Sequence, residues 1–318
     1  FIPLKYITNI ANFGIPIPSQ PQQMQSKNAY TARVTRAFPT AFIFLVDQSV
    51  SMRRLTTFNG EDMTLSEAVA RIVNSQINGL VNLCVKNNDT RHYFDIALIG
   101  YGEEAYSAWN GSLEGRDFVT PEEIRDNPFL KKMVKEEVRT RKGVSIKEVE
   151  SKQWMTARHD GSWTHMDKAL KRAEGLLDNW MKQHHDMDCY PPTIINITDG
   201  EYNGVSDDEM QQLANQLKSM FTNDGNVLFF NIHVVPERTE SVVFPASIEE
   251  LNGNGYGARL YNMSSLLPLN YNEKIRDLFG DKQADIRYHA MGVNAGMERL
   301  VKMMRIGTLS STYVTNNQ

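Results

Sequence analysis

The chain has 318 residues, with 34 basic against 38 acidic side chains, a formal charge of −4, and 41% hydrophobic residues. That length fits one large or two modest domains, and a mildly acidic chain lacks the cationic excess that tracks a phosphate backbone, so nucleic acid is not expected as a partner. The longest apolar runs, at 41–46 and 227–230, fall far short of the roughly 20 residues that a membrane-spanning helix needs. The sequence opens on Phe1 rather than a methionine, which leaves export open. Two cysteines, Cys84 and Cys189, are too few for a disulfide scaffold or a Cys-based zinc site, and both read as buried thiols.

Residues 1–38, with prolines at 3, 16, 18 and 21, read as an irregular N-terminal arm, leaving 39–318 as the folded domain. Four apolar runs follow, at 41–46, 96–99, 193–197 and 227–235, and their continuity predicts strands buried on both faces. Gly100 to Ala105 has the spacing of a dinucleotide fingerprint, but the alternation that follows predicts a hairpin. Thr64 with Glu67 and Ser206 with Glu209 have the spacing of capping boxes, in which two side chains satisfy free N–H groups at a helix start. Further helices are predicted over about 165–183 and about 295–304, and strands alternating with helices indicate an α/β fold with a doubly wound, mostly parallel sheet.

Residues 110–160 interrupt this alternation. Thr120-Pro121 with Glu123, and Ser145 with Glu148, suggest short helices, and the ten basic and nine acidic side chains from Glu114 to Lys152 suit a solvated helical insertion. The glycine-rich stretch from Asn252 to Gly257 reads as a flexible turn. The cluster His184, His185, Asp186 and Asp188 reads as a helix end rather than a metal site.

The strongest chemical signal is Asp47-Gln48-Ser49-Val50-Ser51-Met52, directly after the first apolar run. Ligand sites in open parallel sheets form beyond the carboxyl ends of strands where strand order reverses. Alternating Asp, Ser and Ser on an extended loop offers three hard oxygens. Asp199 ends another predicted strand, and the loop Asp160-Gly161-Ser162-Trp163-Thr164 supplies a hydroxyl just before a predicted helix, which provides the two further oxygen ligands. Hydroxyls and carboxylates suit magnesium or manganese, with calcium a further candidate. With hydroxyls as the other donors and only two carboxylates, an external carboxylate is a favourable additional ligand.

The Asp-x-Ser-x-Ser-Met run, Thr164 followed by Met166, Ala169 and Leu170, and Ile197-Thr198-Asp199-Gly200 together resemble the metal-ion-dependent adhesion site (MIDAS) of von Willebrand factor A (vWA) domains, in order and spacing over about residues 39–305. The resemblance implies a Rossmann-like vWA fold. It also implies direct metal binding by Ser49, Ser51 and, in the ligand-ready state, Thr164, with Asp47 and Asp199 acting directly or through water. The segments at 191–200, 224–231, 263–268 and 306–308 look like an intracellular bacterial branch that includes proteins of tellurite-resistance gene clusters, implying a cytoplasmic setting. Two positions depart from the pattern. Val50 stands where many relatives have glycine, so the loop is expected to hold it extended. Trp163 and His165 flank Thr164 where relatives often have Gly and Pro, which makes Ser162 the alternative hydroxyl.

The function implied is non-enzymatic: a bound Mg2+ or Mn2+ takes a carboxylate from a protein partner that presents Asp or Glu. The alternative is a magnesium-dependent phosphohydrolase with Asp47 as nucleophile. Position 49 is Ser rather than the second Asp common in that chemistry, and no G-x-S-x-G or H-E-x-x-H motif occurs.

Overall fold

A computed structural model describes residues 29–308 apart from 88, 141–142, 160 and 237–239, so most of the expected N-terminal arm lies outside the described residues. The principal strands are β1 (Thr40–Asp47), β2 (Phe94–Tyr101), β3 (Ala105–Ser107), β4 (Phe118–Val119), β5 (Leu130–Thr140), β6 (Gly143–Gln153), β7 (Thr193–Thr198), β8 (Leu228–Val234), β9 (Val242–Val243) and β10 (Met291–Ala295). The helices are α1 (Leu65–Cys84), α2 (Pro121–Asp126), α3 (Met166–Gln183), α4 (Asp207–Ser219), α5 (Gly255–Met263), α6 (Asn272–Phe279) and α7 (Met297–Gly307).

The central sheet runs β9-β10-β8-β7-β1-β2-β3, with β4 also paired to β2. Strands β10, β8, β7, β1 and β2 are parallel, while β3, β4 and β9 are antiparallel to their neighbours. The predicted α/β class is therefore observed. The four apolar runs lie in β1, β2, β7 and β8, and β2 and β3 form the predicted hairpin. Chain order reverses at β1, which lies between β2 and β7, so the carboxyl ends of β1 and β7 bound a crevice of the kind that binds ligands.

Alternation along each strand divides the core into two layers. Phe42, Phe44 and Val46 of β1 face the layer of α1, α6 and α7, while Ile43 and Leu45 face α3, α4 and α5. Capping boxes start α1 at Thr64, α2 at Thr120 and α4 at Ser206, as their spacing predicts. Among the α3 to α5 layer, Asn196 and Asn231 are register partners on β7 and β8. Tyr101 Oη donates to Asn196 Oδ1 (2.7 Å), Asn196 Nδ2 to Asn231 Oδ1 (3.0 Å), Asn231 Nδ2 to Ser264 Oγ (3.1 Å) and Ser264 Oγ to the Leu260 carbonyl (2.6 Å). Every member of this buried chain has a partner, which is what makes polar groups tolerable there. It also leaves Asn196, which opens an Asn-Ile-Thr glycosylation sequon, fully buried.

Three expectations need correction. The charged insertion is helical only at α2, since Leu130–Thr140 and Gly143–Gln153 pair as the antiparallel strands β5 and β6 with Val134 opposite Val149. A charged hairpin carries the same balance of solvated side chains as a charged helix, and Ser145 and Glu148 lie within β6 rather than at a helix start. The last helix begins at Met297, and residues 291–295 belong to β10. Gly292 breaks that strand's apolar pattern for a steric reason, because a Cβ there would lie 2.6 Å from Met303 Sδ. The glycine-rich stretch at 252–257 runs into the first turn of α5, where the Asn254 side chain accepts the Gly257 N–H (2.8 Å). Both cysteines are buried as expected, and burial pushes their thiols up to about 12.

The chain leaves the hairpin through Trp154, which is fully buried and donates from Nε1 to the Ile124 carbonyl (2.7 Å). Asn74 of α1 holds the next step. Its Oδ1 accepts the Trp154 and Met155 N–H groups (2.8 and 3.2 Å), and its Nδ2 donates to the Met155 carbonyl (2.9 Å) and to Ala70 O (2.8 Å). Asn74→Ala strands these buried groups, and urea denaturation is expected to show a loss of about 1–3 kcal/mol.

Candidate functional site

Asp47 is the last residue of β1 and is fully buried. Its Oδ1 accepts the Ser49 N–H (2.8 Å), the local turn that Asp favours after a strand. Ser49 has extended backbone angles (φ −65°, ψ 163°) and leads into a 3-10 turn over Val50–Arg53. The expectation that Val50 is extended is therefore wrong. It starts the turn with a negative φ that a β-branched residue adopts without strain. The turn brings Ser49 Oγ and Ser51 Oγ to 2.9 Å, and Ser51 Oγ donates to Asp199 Oδ1 (2.7 Å) just past the end of β7.

The two acids are also joined through β7. Val46 and Ile197 are register partners, which sets Asp47 level with Thr198. Thr198 Oγ1 lies 2.8 Å from Asp47 Oδ2 and 2.9 Å from the Gly200 carbonyl, with one proton to give. Tyr256 Oη donates to that same carbonyl (2.7 Å), so the threonine proton is available to Asp47. Arg54, just after the 3-10 turn, donates from Nη2 to Asp199 Oδ2 (2.9 Å) and to the Asp199 carbonyl (3.2 Å). Asp47, Ser49, Ser51 and Asp199 thus form one group of oxygens in which Ser51 is exposed and both acids are buried.

The loop before α3 approaches from the side. The Val50 N–H donates to the Gly161 carbonyl (3.0 Å), and Gln48 Oε1 accepts the Arg158 N–H (2.6 Å). Gly161 has φ +75°, and a Cβ there would lie 2.6 Å from Glu103 Oε2. Thr164 is buried, with its N–H on Asn203 Oδ1 (2.8 Å) and its carbonyl accepting the Asn203 N–H (3.2 Å). No hydrogen bond among the described residues joins Thr164 to the other four. Ser162 is exposed, and Asp160 lies outside the described residues.

The oxygen set suits a hard cation. Among the described residues no three or more His, Cys, Asp or Glu side chains cluster in a way that could hold a metal ion. Two carboxylates alone make a thin site, so the paired serine hydroxyls are needed to complete it. Burial pushes the Asp47 carboxyl up to about 6, and the nearby charge of Asp199 adds to the rise against the Ser49 and Thr198 hydrogen bonds. A cation beside it would offset that cost. Elsewhere, Glu201 is exposed and pairs with Arg259 (3.0 Å). At the end of α3, His184 stacks on Trp180, His185 pairs with Asp186, and Asp188 accepts from Asn223 (2.9 Å), so the cluster divides into three separate contacts.

No family profile and no curated protein matches the sequence. Solved structures do resemble it. Proximal thread matrix protein 1 from the mussel byssus is 14% identical with a TM-score of 0.38, over 74% of this chain and 43% of that one. A second structure of that protein has a zinc-occupied MIDAS motif. The von Willebrand factor type A protein from Catenulispora acidiphila is 10% identical with a TM-score of 0.34, over 67% of this chain and 43% of that one. The manganese-loaded TRAP protein of Plasmodium vivax is 16% identical with a TM-score of 0.32, over 64% and 59%. These likenesses are partial in identity and in length.

Arg54, Asn203 and Tyr256 carry no local sequence signal, because each reaches the site across a long chain separation. Thr198 is visible within the Ile-Thr-Asp-Gly run, but its bond to Asp47 depends on the β1–β7 register.

The raised carboxyl of Asp47 fixes the sign of a pH effect. Between the ordinary value of 3.8 and about 6 the folded state holds a proton that the unfolded state has lost, so stability falls as pH rises through that window. In EDTA above pH 6, Asp47→Asn is expected to be more stable than the parent by up to about 3 kcal/mol, with no such gain below pH 4. Urea denaturation at both pH values checks this.

Proposed function

We propose that this chain is a non-enzymatic binding domain that holds a divalent cation through Asp47, Ser49, Ser51, Thr164 and Asp199 and engages an Asp or Glu of a protein partner. The observation that carries the reading is the continuous run of oxygens Ser49 Oγ, Ser51 Oγ and Asp199 Oδ1 above the buried Asp47, at the crevice between β1 and β7. The resemblance of these residues to the vWA adhesion motif supports it. A cation held there, Mg2+ or Mn2+ by the hardness of the donors, supplies a coordination position that a carboxylate oxygen suits.

The surrounding surface also fits a protein partner. Val50, between the two serines, is 40% exposed, and Trp163, beside Thr164, is 47% exposed. Aromatic and aliphatic side chains around a polar centre suit an interface core. Among the described residues no helix is long and apolar enough to cross a membrane. The intracellular setting rests on the resemblance of the 191–200, 224–231, 263–268 and 306–308 segments to the bacterial branch.

Asp47 is poorly placed as the nucleophile of a phosphohydrolase. Its side chain is fully buried, and both carboxylate oxygens already have donors.

Magnesium or manganese is expected to stabilise the fold by linkage, by about 2.7 kcal/mol at a hundred times Kd, and so to raise the unfolding midpoint. Asp47→Ala should abolish that rise, as read by differential scanning calorimetry. Affinity capture from lysate in magnesium and in EDTA tests the binding itself. Equal capture in both, or by Asp47→Ala, overturns the proposal.

A further inference from the structure

Arg54 is not one of the five proposed ligands, yet its guanidinium is bonded to one of them twice, at Asp199 Oδ2 (2.9 Å) and the Asp199 carbonyl (3.2 Å). The contact is built into the backbone. The Arg54 N–H donates to the Ser51 carbonyl (3.3 Å), and the Arg54 carbonyl accepts the Leu65 N–H (2.8 Å) at the start of α1. The residue is thus tied both to the serine loop and to a long helix. Its side chain is 47% exposed, while that of Asp199 is fully buried.

The hydrogen bonds divide the two acids differently. Asp47 is satisfied by neutral donors, the Ser49 N–H and the Thr198 hydroxyl. Asp199 takes a neutral hydroxyl on Oδ1 and a permanent positive charge on Oδ2. Among the described residues Arg54 is the one cation in a salt bridge with either acid. Two carboxylates and one guanidinium leave a single negative charge at the site, where the acids alone would present two. An incoming dication therefore meets half the attraction and must share Asp199 with a fork of donors. With the dication in place the site carries one net positive charge. Without Arg54 it would be neutral, and less attractive to an acidic ligand.

We propose that Arg54 is a positioning residue that acts as an internal counter-cation, holding Asp199 and thereby weakening dication binding at the site. The inference rests on the cation-binding reading above. It predicts that neutralising position 54 tightens binding of a dication, whereas a residue whose only role is to shape the loop would weaken binding when replaced.

The test uses Mn2+ alone, titrated into the full chain by isothermal calorimetry at low salt, with the parent, Arg54→Gln and Arg54→Lys. Arg54→Gln is expected to bind Mn2+ roughly tenfold more tightly, the order given by Coulomb repulsion between nearby charges at a protein surface. Its midpoint without added cation is expected to fall, while its Mn2+-induced rise in midpoint exceeds that of the parent. Arg54→Lys keeps the charge and should bind close to parental affinity, and it also serves should Arg54→Gln fail to fold. Tighter Mn2+ binding by Arg54→Lys than by the parent would then overturn the proposal, and parental affinity would support it. Mn2+ binding by Arg54→Gln equal to or weaker than the parent's overturns the role of Arg54 and leaves the cation site standing. No Mn2+ binding by any of the three proteins overturns the cation site and this proposal together.

Discussion

Two carboxylates buried side by side at the rim of a sheet are the constraint on which the rest of this structure turns. Asp47 and Asp199 lie at the ends of adjacent parallel strands and are largely withdrawn from water. Ionised groups in such a place need compensation. The surrounding chain supplies it piece by piece: a backbone N–H from Ser49, a hydroxyl each from Ser51 and Thr198, and the guanidinium of Arg54. The donors arrive on three segments, so the folding of the serine loop, of β7 and of the link into α1 all converge on neutralising one spot.

Much of the remaining architecture positions that spot. Tyr256 of α5 secures the Gly200 carbonyl, which leaves the Thr198 proton for Asp47. Asn203 fixes the backbone of Thr164 from both sides. Asn74, Asn110 and Gln48 bond to successive residues between Trp154 and Arg158 and lead the chain back from the β5–β6 hairpin to the crevice. Asn74 accepts through Oδ1 and donates through Nδ2 at once, as an amide can where the backbone is irregular and buried, whereas Asn110 and Gln48 serve as acceptors through Oδ1 and Oε1.

The strands flanking the site were legible because they are continuous apolar runs, and the helices α1, α2 and α4 because capping boxes have a fixed spacing. The motif residues were legible because Asp, Ser and Ser follow a strand at alternate positions. What was not legible follows physical lines. The hairpin at 130–153 hides its valines among alternating charges that suit a helix equally well, and β10 is interrupted by a glycine that Met303 requires. The glycine-rich start of α5 resembles a loop until Asn254 is seen capping it. Arg54 is invisible as a site residue because its partner is 145 positions away. The local geometry of Val50 was misread because a serine in extended geometry followed by a 3-10 turn delivers the two hydroxyls to one another as well as an extended loop would.

The buried amide chain from Tyr101 through Asn196 and Asn231 to Ser264 acts as a gauge for the height of the strands. Side chains alternate with a period of two, so sliding β7 by a single residue would turn Asn196 away from Tyr101 and Asn231 and into the opposite, aliphatic and aromatic layer. Such a slip would also move Asp199 by a full residue relative to Asp47, a displacement of about 3.3 Å along the strand. An alignment that must hold to a fraction of an ångström for the oxygens to meet is thus enforced at Asn196, two residues before Thr198 and three before Asp199. There, a mismatch would leave the Asn196 amide in an oily layer and take from Asn231 Oδ1 its donor.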